Sequence, residues 1–173
     1  ETDGLVARIA IDRPEVHNAF DDALTDELAA AWQRFESGPE RVAIVSGGTS
    51  KHFTVGADLK HMPKDPWRAV PGLASPVRKP VIAAINGYCV GVGVALVQAA
   101  DLCVAEAGAK LLYAEPKIGI AYGLITGLAS RVPHKFAMEL MLCGQPVTAE
   151  RAYEVGLVNR VAPVGGHMAA ALE

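Results

Sequence analysis

An α/β fold is predicted by three features of the 173-residue sequence: short apolar runs of strand length, a helical-period stretch between two of them, and glycine-bearing turns after the runs. Leu5 to Asp12 alternates apolar with other residues, as a half-buried strand does, and Arg13-Pro14 ends it. After Asp21 and Asp22, the residues Leu24, Leu28, Ala31, Trp32 and Phe35 recur at helical intervals, and Ser37-Gly38-Pro39 closes that helix. Val42 to Ser46, bounded by Gly47-Gly48, reads as a covered strand.

The tract from Met62 to Pro80 holds five prolines and no sustained period, so it is expected either to be a mobile loop or to mark missing residues. Val81 to Ile85 is strand-like, Asn86-Gly87 turns the chain, Gly93 to Ala100 suits a helix, and Leu102 to Ala105 suits a strand. Further helices are expected over Gly123 to Val132, Lys135 to Cys143 with Gly144 as stop, and Thr148 to Glu154 with Thr148 as N-cap and Gly156 as terminator. Val158 to Val161 reads as a last strand.

Composition bounds the function. The chain is 51% hydrophobic and 20% charged, with 16 basic against 19 acidic side chains and a net charge of −3. This suits a soluble single domain and argues against a partner held through nucleic-acid phosphates. Cys89, Cys103 and Cys143 lie in apolar stretches without metal-ligand spacing, so packed reduced thiols and no metal are expected. Glu1 and Asp3 stand where a signal peptide would be basic, and the apolar stretch from Pro80 to Ala100 is broken by Asn86, Gly87, Gly91 and Gly93. A cytoplasmic protein with no membrane span is the expectation. Met168 to Glu173 resembles a linker placed before an affinity tag, so a core over 1–163 and a separate tail over 164–173 are expected.

Two glycine turns, Phe53 to Leu59 and Asn86 to Ala95, could each present backbone N–H groups where a helix begins. Facing each other, they would bind an oxyanion. Neither is a nucleotide motif: Leu96 breaks a GxGxxG pattern and no GK[ST] follows. In order, the chain reads IDRPEVHNAF, KHFTVGADLKHM, KPVIAAINGYCVGVGVALVQAADLCVAEAGAKLLYAEPKIGI and AMELMLCGQPVTAERAYEVGLVNRV. From about Ile9 to Pro163 this closely resembles the crotonase, or enoyl-CoA hydratase/isomerase, family.

The resemblance implies a spiral of repeated β/β/α units, truncated before the family's C-terminal helical region, and assembly as a trimer or a dimer of trimers. It implies an acyl-CoA substrate, with coenzyme A entering as part of the thioester and no separate cofactor. The amides of Ala57, after Gly56, and Val92, between Gly91 and Gly93, match the family's oxyanion donors. Only backbone N–H groups are needed there, so valine is tolerable. Val16, Ala19, Phe20, Asp58, Leu59 and Lys60 match the coenzyme-binding segments, and His17 stands where relatives often carry a stronger base. Asp58 is expected as a turn or capping group, Asp101 as structural, and His17, His52 and His61 as solvent-facing loop residues.

Hydratases of the family use two glutamates; here the first position is Ala95 and the second is Glu115. An arbitrary glutamate would ordinarily pair with Lys110 or Lys117, but the motif match favours catalysis. One carboxyl group suits double-bond isomerisation or lyase chemistry better than addition of water. The alternatives are a hydratase with a replaced second carboxylate and an acyl-CoA-binding relative without catalysis. Tyr122, where relatives often have proline, could narrow the pocket, supply a hydroxyl or simply pack.

Overall fold

The computed structural model describes residues 2–120 and 123–173. Among them, strands β1 (Thr2–Asp3), β2 (Val6–Ala10), β3 (Val42–Ser46), β4 (Val81–Ile85), β6 (Leu102–Glu106) and β9 (Arg160–Ala162) form one sheet in the order β1-β2-β3-β4-β6-β9. Every pairing from β2 onward is parallel. Such a sheet needs cover on both faces, which is why Val42 to Val45 and Val81 to Ile85 are apolar throughout instead of alternating.

Helix α1 (Asp22–Ser37) covers one face with Leu24, Leu28, Trp32 and Phe35. Its first turn is fixed by Asp21, whose carboxylate accepts the Leu24 N–H at 2.8 Å; such a cap contributes about 1 kcal/mol. Helix α2 (Val92–Ala99) is apolar almost all round and lies buried, as its composition requires. A second, three-stranded sheet comprises β5 (Tyr88–Val90), β7 (Lys110–Leu112) and β8 (Val147–Thr148). These short strands escape a sequence reading because two or three residues fix no period. Helices α3 (His134–Cys143), stopped by a left-handed Gly144, and α4 (Ala149–Glu154), capped by Thr148, match expectation.

Other expectations are corrected. Gly123 to Val132 is no α-helix; only a 3-10 turn over Thr126–Ser130 forms, because Gly123 takes a positive φ and no side chain caps the start. The last strand begins at Arg160 because Asn159 is spent on Cys103: each backbone N–H donates to the other residue, Asn159 N–H to the Cys103 carbonyl and Cys103 N–H to Asn159 Oδ1. The proline-rich tract is packed in place. It turns at Pro66–Ala69, buries Pro66, Ala69 and Val70, and its Ala69 carbonyl accepts the Trp32 indole N–H at 2.7 Å.

The tail also packs. Helix α5 (His167–Leu172) sets Ala171 against Ile44, Ala84, Val104 and Ala162 on the remaining sheet face. His167 Nδ1 lies 3.2 Å from Glu106 Oε2, and the Gly165 N–H donates to that same oxygen. Cys89 and Cys103 are buried as expected, whereas Cys143 is exposed at the end of α3. Asp101 is structural, accepting the Val81 N–H at 2.8 Å.

Candidate active site

Segments distant in sequence are stitched together at one end of the second sheet. Asn18 is fully buried at a left-handed φ of 59°. Its Nδ2 donates to the carbonyls of Gly47, His52 and Phe53, and its Oδ1 accepts the Arg13 N–H. This brings residues 18–20 beside residues 53–57. There the Phe20 N–H donates to Gly56 O and the Asp58 N–H to Phe20 O, both at 2.8 Å. That bridge uses the groups flanking Ala57, so the Ala57 N–H points away from Phe20.

The same segment reaches the second glycine turn. Thr54 bridges Cys89, with the Thr54 N–H donating to Tyr88 O and the Val90 N–H to Thr54 O, each at 3.0 Å. Gly56 adopts φ 91°, where an L side chain is strained, and lies in ordinary contact with Val90: a Cβ there would stand 3.4 Å from Val90 Cγ1. Gly91, at φ 58°, donates to Leu112 O and precedes α2, leaving the Val92 N–H at the helix start with no carbonyl four residues back to receive it.

Glu115 opens a 3-10 turn over Glu115–Ile118 directly beyond β7. Its carboxyl faces Gly91: Oε1 is 2.6 Å from where a Gly91 Cβ would stand. Oε2 is buried without a hydrogen-bond partner among the described residues. Burial raises its pKa above the ordinary 4.5, with the backbone amides of Glu115 and Ala114 opposing. The Tyr113 phenol is pushed up to about 12 by its own burial and by the nearby Glu115 charge.

Gly56, Ala57, Gly91, Val92 and Glu115 all line one cavity of about 670 Å³. Val16, Ala19, Asp58, Leu59 and Lys60 line it too. Asp58 is a turn residue, accepting the backbone N–H groups of Lys60 and His61. His17 and His61 are exposed, while the His52 ring is partly covered, between His17 and Tyr88. Its pKa is lowered by burial and by the adjacent His17 and Lys51.

Three of the expected site residues do not line the cavity. Phe20 is fully buried in the main core, since it is its backbone that bridges Ala57. Gly93 serves close packing, as a Cβ there would meet Thr54 Cγ2 at 2.5 Å. Ala95 is fully buried among core side chains of α2. Tyr122 lies outside the described residues. Sequence reasoning missed His61 as a wall residue, together with the apolar walls Met62, Pro66, Val90, Ile118, Ile120 and Leu124. No chemical motif marks those apolar positions. A smaller hollow of about 410 Å³ between β2 and α1 contains none of the expected site residues.

Comparison with known proteins identifies what this arrangement is similar to. A family model described as enoyl-CoA hydratase/isomerase matches residues 1–173. The chain is 34% identical to (E)-benzylidenesuccinyl-CoA hydratase of Thauera aromatica, covering 93% of this chain and 68% of that protein. It is 36% identical to the mitochondrial enoyl-CoA hydratase of Pongo abelii, covering 92% and 58%. It thus spans between 58% and 68% of the length of these relatives. The crystal structure of an enoyl-CoA hydratase from Mycobacterium tuberculosis H37Rv superposes with a TM-score of 0.89 at 35% identity, covering 99% of this chain and 71% of that one.

Proposed function

The chain belongs to the enoyl-CoA hydratase/isomerase family, and on that premise we propose that it moves a proton on an acyl-CoA thioester, by isomerisation or lyase-type chemistry. The observation that carries this is the half-buried carboxyl group of Glu115, whose Oε2 is enclosed without a hydrogen-bond partner among the described residues, in the cavity that Ala57 and Val92 also line. The two backbone N–H groups hold the thioester oxygen. Glu115 takes a proton from carbon conjugated to that carbonyl, and the released electron pair spreads onto the held oxygen as an enolate. Returning the proton to a different carbon shifts the double bond and restores the carboxylate. In the lyase variant, the enolate instead expels a group from the β-carbon, which departs with the bonding pair and takes the proton from Glu115, so that the Cα–Cβ double bond forms and the carboxylate is restored.

Each amide aimed at the developing charge is worth about 100- to 1,000-fold in rate. Because coenzyme A arrives within the substrate, we propose no further cofactor. Assembly as a trimer or a dimer of trimers and a cytoplasmic setting are proposed on the same family grounds. No helix among the described residues is long and apolar enough to cross a membrane.

The decisive variant is Glu115→Gln. It should abolish turnover and solvent-deuterium incorporation at the acyl carbons while acyl-CoA affinity stays nearly unchanged; retained exchange refutes the assignment. A hydration reading is favoured by the names of the relatives. Ala95, fully buried, opposes it, because the position that carries the first hydratase glutamate in the resemblance has no proton to exchange. Crotonyl-CoA hydration by the unmodified protein would establish hydration, and hydration gained only in Ala95→Glu would exclude it for the natural sequence.

A further inference from the structure

Thr54 is fully buried where residue 18, β5 and α2 meet, and each of its parts contacts a different neighbour. Its hydroxyl donates to the Asn18 carbonyl at 2.6 Å and accepts the Gly56 N–H at 3.0 Å. Its backbone bonds Tyr88 and Val90, in the strand that leads into Gly91. Its methyl lies against the first turn of α2, so close that a β-carbon at Gly93 would stand 2.5 Å from it.

Gly56 is the reason such a clamp matters. At φ 91° it has no β-carbon to restrict it, so the peptide planes on either side turn easily unless they are bonded from outside. The Gly56 carbonyl is held by the Phe20 N–H, and because that peptide is planar and trans, the Ala57 N–H of the same plane points the opposite way. The preceding plane is held through the Gly56 N–H by the Thr54 hydroxyl. Resting on the reading of the Ala57 and Val92 amides as oxyanion donors, we propose that Thr54 is a positioning residue: its hydroxyl aims the Ala57 N–H, while its backbone and methyl fix that donor's spacing from the Val92 N–H. Valine at this position would keep the branched shape but leave the Gly56 N–H without its acceptor and the Asn18 carbonyl without its donor. Serine would keep the hydroxyl and lose the methyl.

The test reads the amides directly, through the infrared carbonyl stretch of hexanoyl-CoA, isotope-labelled at its carbonyl carbon and bound to the intact protein. Donors aimed at that oxygen polarise the C=O bond and lower its frequency, and this saturated thioester has no double bond to shift. The wild-type protein should lower the frequency below its value in water. Thr54→Val should lose at least about half of that shift and Thr54→Ser should keep most of it. Affinity for hexanoyl-CoA should change less than about threefold in both, while deuterium exchange into 3-hexenoyl-CoA slows at least about tenfold in Thr54→Val and recovers in Thr54→Ser. A full shift in folded Thr54→Val overturns the proposal, as does failure of the wild-type protein to lower the frequency at all. If Thr54→Val does not fold, Thr54→Ser and Thr54→Cys decide: both lack the methyl, only serine keeps a strong hydrogen-bonding group, and equal shifts in the two overturn the proposal. A shift that follows the hydroxyl in a protein showing no deuterium exchange counts against the proton-transfer reading and supports the role of Thr54.

Discussion

Glu115 and Gly91 are mutually exclusive neighbours: Oε1 of the carboxyl group occupies the approach that any β-carbon at position 91 would need, 2.6 Å away. Gly91 is also at φ 58°, where an L side chain is strained. Gly91→Ala should therefore cost about 1–2 kcal/mol in urea unfolding. By displacing the carboxyl group, it should lower kcat/KM at least about tenfold. Full activity in a folded Gly91→Ala protein would separate Glu115 from the chemistry.

Burial of Glu115 makes a pH signature. Its folded pKa is raised, so the neutral form is favoured in the native state and the carboxyl contributes its full stability below the unfolded value. That contribution is lost as pH climbs from about 4.5 through the higher folded value. Wild-type unfolding free energy should fall across that window, and Glu115→Gln should flatten the fall and be the more stable protein at neutral pH. Catalysis runs the other way: turnover rises over the same interval as the basic carboxylate appears. Superimposable stability profiles for the two proteins would contradict the burial argument.

Thiol chemistry should separate the cysteines. Burial raises Cys103 to about 12 and Cys89 well above its ordinary range, whereas Cys143 is exposed. Iodoacetamide at pH 8 should label Cys143 in the native protein and reach Cys89 and Cys103 only after denaturation, as read by peptide mass spectrometry.

Asn18→Ala would orphan the Arg13 N–H and remove a donor shared by three carbonyls, at a left-handed backbone position. A loss of about 2–4 kcal/mol is expected. It should appear as a lower denaturant midpoint with an unchanged slope. Because Asn18 joins the first segment to the Ala57 turn, acyl-CoA affinity should weaken in the same variant even at temperatures where it stays folded.

The main sheet is readable in the sequence where a central strand is covered on both faces and written as an uninterrupted apolar run, as in Val81 to Ile85. Ala57, Val92 and Glu115 are legible only through the resemblance of their motifs to the family, since a glycine turn or a glutamate alone marks no site; the structure brings all three to one cavity wall. What the sequence hides is three-dimensional. Tyr88–Val90 and Lys110–Leu112 become strands by pairing with each other, Cys89 opposite Leu111, and Lys110–Leu112 pairs also with Val147–Thr148. Ile120 and Leu124 look like core residues until a cavity is found beside them. Phe20 and Ala95 fall within matched motifs, yet their side chains fill the interior, a distinction that turns on which way one β-carbon points.

The bond from the Trp32 indole to Ala69 joins α1 to the turn that carries Pro66, and Pro66 is part of the cavity wall. An intrinsic fluorophore is thus moored to the back of the wall that a ligand would press from the front. Ligand-induced movement of that wall would stretch or release the indole's tether, and emission colour would register occupancy without any label.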